Sequence, residues 1–326
     1  MPVDPEGVGT QPFAIVGNLN VDQIVATITR FPEWNEELLV ESSRLELAGT
    51  AGYLALAARS MGITPFIVST VGEDASADFL RRELSAAGIE DAGIEAIPEL
   101  PTCLGIVFVG DRGQRSILTV LGAHEQMSVQ VAERHDDAIA ACAEVFLCGN
   151  YLLPQFSPGQ VVEYARCLRD RGQFVVFDPS WDPGGWQPGT REETLALLEN
   201  VDLFMPNEEE LCHLMGTSTW QAGLAAIDSR SSQIVIKRGG SGAVSVIGDE
   251  VVKVPALPIE AVNTISAGDV FDVSFLYARR QGWPTRQCLE FACASAAYVV
   301  AQAGTRRYPN EAAVLSFSAN VRQGSA

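Results

Sequence analysis

Positive charge is scarce in this sequence of 326 residues, which has 22 Lys and Arg against 41 Asp and Glu and a formal net charge of -19. Its only lysines are Lys237 and Lys253. Nucleic acids and anionic membrane surfaces are bound by positively charged protein faces. The charge balance therefore argues against a nucleic-acid partner and against a membrane-surface partner.

The sequence also lacks the features of an exported protein, a membrane protein or a zinc protein. No apolar run reaches the roughly 18 to 20 residues that a membrane span requires, and the N-terminal stretch MPVDPEGVGTQP is neither basic nor apolar, unlike a signal peptide. The seven cysteines contain no C-x-x-C pair, and the three histidines show no metal or nucleophile spacing. We therefore predict a cytoplasmic protein with reduced thiols, whose chemistry depends on carboxylates, backbone amides and a bound metal.

The residues that are present give a globular composition, with 47% hydrophobic and 19% charged residues. Short apolar runs without period-2 alternation predict strands that are covered on both faces. These predicted strands are Phe13–Val16, Phe66–Val71, Val145–Cys148, Phe174–Phe177, Leu203–Met205, Ile234–Ile236 and Ala243–Ile247. Helical patterns lie between them; Ser76 is the predicted N-cap of one helix, and Gly172 is predicted to end another. This alternation predicts a three-layer α/β/α sandwich around a mainly parallel sheet.

Two segments alternate like antiparallel strands instead. They are Glu37–Leu47 and Thr102–Val120, and the second has a predicted turn at Asp111, Arg112 and Gly113. Such strands predict a small antiparallel β lid, inserted at about residues 33–48 and 101–121. With no internal repeat and no low-complexity linker, the sequence predicts a single domain over residues 1–326.

The most informative segment is VNTISAGDVFDVSFLYARRQG, from Val262 to Gly282. Small residues directly precede Asp269, and an apolar helical pattern follows it. A loop of this kind exposes backbone N–H groups at the positive end of a helix dipole, which is a ready anion site. Asp269 is then either an ordinary helix cap or a carboxylate beside bound phosphate that takes a proton from a substrate hydroxyl.

This loop and several collinear motifs resemble the ribokinase-like (PfkB) family of carbohydrate and nucleoside kinases. NTISAGD at Asn263–Asp269 is similar to the family signature D-T-x-G-A-G-D, and AGTAGYLALAARSMG at Ala48–Gly62 is similar to the signature in which a Gly-Gly pair opens a helix. MPNEEE matches the N-x-x-E element at Asn207 and Glu210, while IVIKRGGSGA and VGEDASADFL resemble two further elements. The resemblance runs from about residue 13 to residue 314, and it implies a kinase that uses ATP and Mg²⁺.

The resemblance also implies a role for each matching residue of the phosphoryl-transfer site. Asp269 would be the base that deprotonates the acceptor hydroxyl. Three successive backbone amides would form an anion hole for the transferring γ-phosphoryl group: those of Ser266, Ala267 and Gly268. Glu210, with Asn207, would hold Mg²⁺ largely through water.

The remaining nucleotide contacts follow from the same resemblance. Lys237 would reach the ATP phosphates, unless it is an ordinary lysine at a strand end. Gly239 and Gly242 would let the backbone pass close to the nucleotide, and the helix around Cys293 and Ala294 would form a wall for the adenine.

For the acceptor, the segment GNLNVDQ matches the family's G-x-x-N-x-D element. Asn20 and Asp22 would grip sugar hydroxyls; the alternative is an Asx turn after the first strand. Gly49, Thr50 and Tyr53, at the start of the first-signature helix, would complete the acceptor site. The lid would exclude water and, as in many family members, form the contact of a homodimer.

The sequence departs from the family pattern at several of these positions. Asn263 replaces an Asp that contributes to a monovalent-cation site in many members, which argues against potassium activation. Ser266 replaces a Gly but keeps its backbone N–H. Tyr53 replaces an Asn that contacts the acceptor, and its ring either offers a stacking face or only packs. Thr50 replaces a Lys of members that bind sugar phosphates, which favours an unphosphorylated sugar.

Four functions are compatible with these observations to different degrees. An ATP-dependent kinase of a small unphosphorylated sugar is favoured. A nucleoside kinase of the same fold is the alternative enzyme, supported by Tyr53 and by Trp181 or Trp186 if either lines the site. A catalytically weak ligand-binding relative is disfavoured because Asp269 and the N-x-x-E pair are present. A dinucleotide dehydrogenase is disfavoured because GNLN, not G-x-G-x-x-G, follows the first strand.

Overall fold

The computed structural model describes residues 11–110, 115–227, 232–302 and 308–324. The strands are β1 (Phe13–Gly17), β2 (Asn20–Ile28), β3 (Ser42–Ala48), β4 (Pro65–Gly72), β5 (Ile94–Ile97), β6 (Leu104–Gly110), β7 (Arg115–Val120), β8 (Glu144–Cys148), β9 (Phe174–Asp178), β10 (Leu203–Phe204), β11 (Gln233–Lys237), β12 (Ala243–Ile247) and β13 (Glu250–Val254). The helices are α1 (Thr50–Ser60), α2 (Ala75–Ala86), α3 (Val129–Glu133), α4 (Asp136–Ala140), α5 (Val162–Asp170), α6 (Pro188–Leu198), α7 (Glu208–Met215), α8 (Trp220–Ala225), α9 (Ala267–Arg280), α10 (Thr285–Val300) and α11 (Glu311–Gly324).

A large sheet forms the centre of the molecule, in the order β13-β12-β11-β10-β9-β8-β1-β4-β5. The pairs from β11 through β5 are parallel, and only β12 and β13 join antiparallel. Each predicted strand run is present, with its ends shifted by no more than a residue or so. The prediction of a mainly parallel sheet is confirmed.

Both faces of this sheet are covered, which explains why its strands lack polar alternation. In β1, Phe13 and Ile15 belong to one hydrophobic core, while Ala14 and Val16 belong to the other. Helices α1, α2, α9, α10 and α11 contribute to the first core, and α3 to α8 contribute to the second. Successive strand residues point to opposite faces, so a strand between two helical layers must be apolar throughout. The three-layer sandwich is therefore confirmed.

A second, smaller sheet has the order β3-β2-β6-β7. Its β2–β3 and β6–β7 pairs are antiparallel, and β2 and β6 pair in parallel. The predicted lid segments supply three of these strands, although the first begins only at Ser42. Strand β2 was not predicted: it starts at Asn20, so the Asx-turn alternative is wrong. The predicted turn at residues 111–113 lies outside the described residues.

One helix start also differs from the prediction. Asp74, not Ser76, caps α2: its carboxylate Oδ1 accepts a 2.9 Å hydrogen bond from the Ala77 N–H. Ser76 lies inside the first turn, where it cannot act as an N-cap. At the other predicted helix end, Gly172 follows α5 with φ of 86°, as predicted. Within the described ranges, no helix is both long and apolar enough to cross a membrane, and all seven cysteines are free thiols.

Candidate active site

A cavity of about 310 Å³ lies between the small sheet and the carboxyl edge of the large sheet. It brings together eight of the predicted site residues: Asn20, Asp22, Gly49, Thr50, Tyr53, Ser266, Gly268 and Asp269. The start of β2 and strands β6 and β7 form one wall, and the N-terminal turns of α1 and α9 form the other. The predicted acceptor residues and the predicted base therefore share one cavity, although they are up to about 250 positions apart in sequence.

The Asp22 carboxylate is held on both oxygens. The Asn20 side-chain amide donates to Oδ1 at 2.8 Å, and the Tyr53 hydroxyl donates to Oδ2 at 3.4 Å. Burial raises the pKa of Asp22 to about 6, against the opposing effect of the Asn20 hydrogen bond. Gly105 on β6 leaves room for this carboxylate, because a Cβ there would lie 2.3 Å from Asp22 Oδ1. Asn20 and Asp22 are thus a preformed polar pair that faces the cavity.

The start of α1 is organised by Asn18, which the sequence analysis did not single out. Its Oδ1 accepts a 3.2 Å hydrogen bond from the Thr50 N–H, and it is buried. Gly49 has φ of 82°, and a Cβ there would lie 2.3 Å from the Asn18 carbonyl oxygen, so this position requires glycine. The Thr50 hydroxyl contacts the Ser180 hydroxyl at 3.0 Å, which places Thr50 at the β9 end of the cavity.

The loop before α9 has the geometry of an anion site. Ser266 adopts a left-handed conformation with φ of 59° and gives α9 no side-chain cap. Within the described chain, the N–H groups of Ser266 and Gly268 donate to no backbone carbonyl, while the Ala267 N–H makes a long 3.4 Å contact with the Thr264 carbonyl. Unpaired amides at the start of a 14-residue helix are suited to bind anionic oxygens.

Asp269 lies in the first turn of α9 and is half-buried. Burial is the main cause that raises its pKa to about 7, and the negative charge of Asp178 adds to it, while Lys237 opposes the shift. A carboxyl group with this pKa is poised to exchange a proton near neutral pH. Asp269 is not the N-cap residue of α9, because Ser266 occupies that position.

Asn207 and Glu210 form a reciprocal capping box at the start of α7. Asn207 Oδ1 accepts from the Glu210 N–H and Glu210 Oε2 accepts from the Asn207 N–H, both at 2.8 Å. Burial, with the charge of Asp178, raises the pKa of Glu210 to about 7. In the part of the chain that is described, no three His, Cys, Asp or Glu side chains cluster as a metal site. The one carboxylate oxygen outside the capping box suits an ion that keeps most of its waters, as Mg²⁺ does.

Lys237, whose contact with ATP phosphates stays a prediction, is held between two carboxylates. Its Nζ lies 2.8 Å from Asp178 Oδ2 and 2.8 Å from Asp272 Oδ2; both aspartates are buried and Lys237 is largely so. Burial alone would lower the pKa of Lys237, but the two carboxylates outweigh it and raise that pKa above its usual value. The ammonium therefore lies beneath the first turn of α9, where a Cβ at Gly268 would be 3.7 Å away.

Four other predicted nucleotide contacts lie outside this cavity. Gly242 has φ of 89°, and a Cβ there would lie 2.0 Å from the Val254 carbonyl oxygen, so the β11–β12 turn itself requires this glycine. Gly239 has φ of 49° in the same turn. Cys293 and Ala294 are buried in α10 among the first hydrophobic core. Their contact with adenine stays a prediction.

The two tryptophans after β9 do not line the cavity. Trp181 and Trp186 form an aromatic cluster with His213 and Tyr151, with neighbouring ring centroids 5.2 to 6.1 Å apart. Asp182 holds the loop, because its carboxylate accepts from the N–H groups at positions 184 and 186. The prediction that one of these rings faces the acceptor is therefore not supported.

Arg115 on β7 is a further cavity residue that the sequence analysis missed. It lines the cavity together with Ile117 and Thr119, the alternate residues of the same strand. Its charge lowers the pKa of both Asp22 and Asp269, as one of several opposing causes. Alternation in the sequence predicted a strand here, but only the register Gly105↔Thr119 shows which set of side chains faces the cavity.

Comparison with known proteins agrees with this geometry. The sequence model of the pfkB family of carbohydrate kinases matches residues 14–313. The chain belongs to this family. A deoxyribokinase from Salmonella typhi is 27% identical over 305 residues, covering 91% of this chain and 95% of that protein. A nucleoside kinase from Methanothermobacter thermautotrophicus is 26% identical and covers 89% of this chain and 90% of its own length.

A similar solved structure supports the fold. It is a putative ribokinase II from E. coli in complex with ATP and Mg²⁺, with a TM-score of 0.81, 21% identity, and coverage of 95% of this chain and 99% of that one. The predicted resemblance to the ribokinase-like carbohydrate and nucleoside kinases is thus confirmed, and so is the ribokinase-like fold.

Proposed function

We propose that this protein transfers the γ-phosphoryl group of ATP to a hydroxyl of a small unphosphorylated sugar, with Asp269 as the general base. The observation that carries the proposal is the shared cavity. It contains Asp269 and the unpaired amides of the α9 loop at one side, and the Asn20–Asp22 pair at the other.

The acceptor side favours a polyhydroxylated ligand without a phosphate. Asn20 and Asp22 offer an amide and a carboxylate to neighbouring hydroxyls. Thr50, at the start of α1, supplies a neutral hydroxyl where a sugar phosphate would need a cation. A cavity of about 310 Å³ suits a monosaccharide, and the deoxyribokinase relative is named for such a substrate.

In the proposed reaction, the acceptor hydroxyl gives its proton to the Asp269 carboxylate as its oxygen attacks the γ-phosphorus of ATP. Three backbone amides lie at the positive end of the α9 helix dipole, those of Ser266, Ala267 and Gly268. There they would stabilise negative charge on the transferring group. The γ-phosphoryl then bonds to the acceptor oxygen, and ADP leaves.

Mg²⁺ would neutralise phosphate charge when it is bound with ATP. Glu210 would hold its water shell, with Asn207 keeping that carboxylate oriented through the capping box. Strands β2, β6 and β7 would cover the acceptor and keep water from taking the phosphoryl group. We further propose that the outer face of the small sheet forms a homodimer contact.

A coupled ADP-release assay tests the function. Purified protein with Mg²⁺ and ATP is offered pentoses, deoxypentoses, hexoses and nucleosides, beside the Asp269→Asn variant. We expect a sugar to raise ADP release above the background without acceptor, and the variant to lose roughly a hundredfold or more in turnover while it still binds ATP. Unchanged turnover in the variant would remove Asp269 from the role of base.

A nucleoside acceptor is the second candidate, and Tyr53 is the observation that favours it. Its ring lies in the cavity wall beside Asp22, where a planar base could stack on it. In the same assay, higher kcat/KM for nucleosides than for every sugar would support this function. The absence of any active acceptor with folded, Mg²⁺-loaded protein would favour a ligand-binding role.

A further inference from the structure

Three ionisable side chains, largely shielded from solvent, meet under the proposed phosphoryl-transfer loop. Lys237 comes from the end of β11, Asp178 from the end of β9 and Asp272 from the second turn of α9. The ammonium lies 2.8 Å from one oxygen of each carboxylate, and the side chains are 11%, 6% and 0% exposed, respectively. One cation thus connects two strand ends to the helix that carries Asp269.

Stabilisation of the fold alone does not explain this Lys237–Asp178–Asp272 network. Taking such ionisable groups out of water costs more than their attraction returns unless every polar atom is satisfied, and burial, only partly opposed by the Lys237 charge, raises the pKa of Asp272 well above its usual range. Asp272 Oδ1 is buried and accepts no hydrogen bond from the described residues. Apolar side chains of similar volume would fill the same space without this cost, so the position of the network calls for another explanation.

Each member of the network also contacts another part of the site. The Lys237 N–H donates to the Pro206 carbonyl at 3.0 Å, next to the capping box of Glu210. Asp178 Oδ1 accepts from the Ser180 N–H at 2.8 Å, and Ser180 contacts Thr50 on the acceptor side. Asp272 lies three residues after Asp269, so both project from the same side of α9. The network therefore connects three parts of the proposed site: the segment beside Glu210, the acceptor side of the cavity, and the helix that follows the loop amides.

We propose that Lys237 is a positioning residue. By bridging Asp178 and Asp272, it fixes the first turn of α9 against β9 and β11. Asp269 and the loop amides are then held in the correct position relative to the reacting groups. This inference rests on the proposed kinase function. Lys237 touches neither nucleotide nor acceptor in this role. Its loss should lower kcat and leave the KM values for ATP and acceptor nearly unchanged, because small misplacements of reacting groups cost rate rather than binding.

The experiment compares Lys237→Met with a triple variant that also carries Asp178→Asn and Asp272→Asn. The single variant leaves two buried carboxylates without a cation, so we expect it to be strongly destabilised. The triple variant removes the ammonium and both carboxyl groups and should recover much of the thermal stability. Its kcat should nevertheless stay roughly 10- to 100-fold below wild type, with both KM values within about threefold of it.

Lys253→Met is the matched control, because Lys253 is the other lysine of the chain and lies over the Trp220 ring, 5.1 Å from its centroid. It should keep wild-type kcat.

A triple variant with wild-type kcat, or a kcat that follows the folded fraction in every variant, would overturn the positioning role. If the triple variant does not fold, Asp272→Asn carries the test: a lower kcat at unchanged KM is expected, and wild-type kcat refutes the proposal. Inactivity of the wild type with every acceptor would instead refute the proposed function.

Discussion

Asp269 differs from an ordinary aspartate in the first turn of a helix because its surroundings hold a proton more tightly. Burial, with the charge of Asp178, raises its pKa to about 7. A base must be deprotonated before it can accept the hydroxyl proton. We therefore expect kcat/KM for the acceptor, measured at saturating Mg²⁺ and ATP, to rise with pH and to level off above about pH 7.

The control for this pH profile is the amount of coupling enzyme. At each pH, adding more coupling enzyme must leave the measured rate unchanged, so that the profile reports the kinase itself. Asp22, with a pKa of about 6, adds a second loss of activity at lower pH, since its protonated form is a poorer acceptor for sugar hydroxyls. A kcat/KM that stays flat between pH 5.5 and 8 would contradict the assignment of Asp269 as a base with a raised pKa.

At the scale of the elements, β7 contributes a cation that no motif predicts. Arg115 lowers the pKa of both Asp22 and Asp269, so Arg115→Gln should raise both pKa values. The low-pH limit of kcat/KM should then move to higher pH, by less than about one unit because the charge is partly exposed to solvent. Arg44→Gln is the control, because Arg44 lies on β3 of the same sheet and pairs with Glu46 at 2.7 Å. An unchanged pH profile in Arg115→Gln would contradict the electrostatic role of β7.

The outer face of the small sheet carries the proposed homodimer contact. Leu118 and Val120 project from β7 away from the cavity and are 62% and 52% exposed, and Phe31, whose ring packs against Phe108 of β6, is 53% exposed. Exposed apolar patches of this kind mark interaction surfaces. Leu118→Glu should therefore convert a dimer into a monomer in light scattering after size exclusion. Leu315→Glu, on α11 and 50% exposed, should remain dimeric; a monomeric wild type would refute the contact.

The elements also show where prediction from sequence succeeds and where it stops. Strand β1 and the helix after residue 266 were predictable because their patterns are local: an apolar run covered on both faces, and small residues before a helical stripe. The Lys237–Asp178–Asp272 network was not, because its members are 35 to 94 positions apart and meet only through the sheet order. Strand β2 was missed because its start coincides with a polar GNLN segment that also fits a turn.

At the scale of the whole molecule, a net charge of -19 gives no general attraction for anionic ATP. Binding must come from local groups, and distant carboxylates are screened beyond roughly 8 to 10 Å. Because Lys237 contacts two carboxylates, the local positive groups of the proposed site are the amides of the α9 loop and the Arg115 guanidinium in the cavity wall. We therefore expect ATP affinity to depend strongly on Mg²⁺.

The raised carboxyl pKa values also make stability depend on pH. Asp269 has a pKa of about 7 in the folded protein. Between about pH 4 and 7 it is therefore protonated when folded and loses this proton on unfolding. Its contribution to stability is present at low pH and is lost as the pH rises through 7. The buried His124, with its pKa lowered to about 4 by burial, acts with the opposite sign, so the pH dependence of wild-type stability alone is ambiguous.

The comparison of wild type with Asp269→Asn removes this ambiguity, because His124 is common to both. Without Mg²⁺ or ATP, the Tm of wild type should fall more than the Tm of the variant between pH 5.5 and 8, by about 1 to 2 °C for each kcal/mol of lost stability. Asp78→Asn, an exposed aspartate in the first turn of α2, should follow wild type; equal slopes for wild type and Asp269→Asn would show that Asp269 carries no raised pKa.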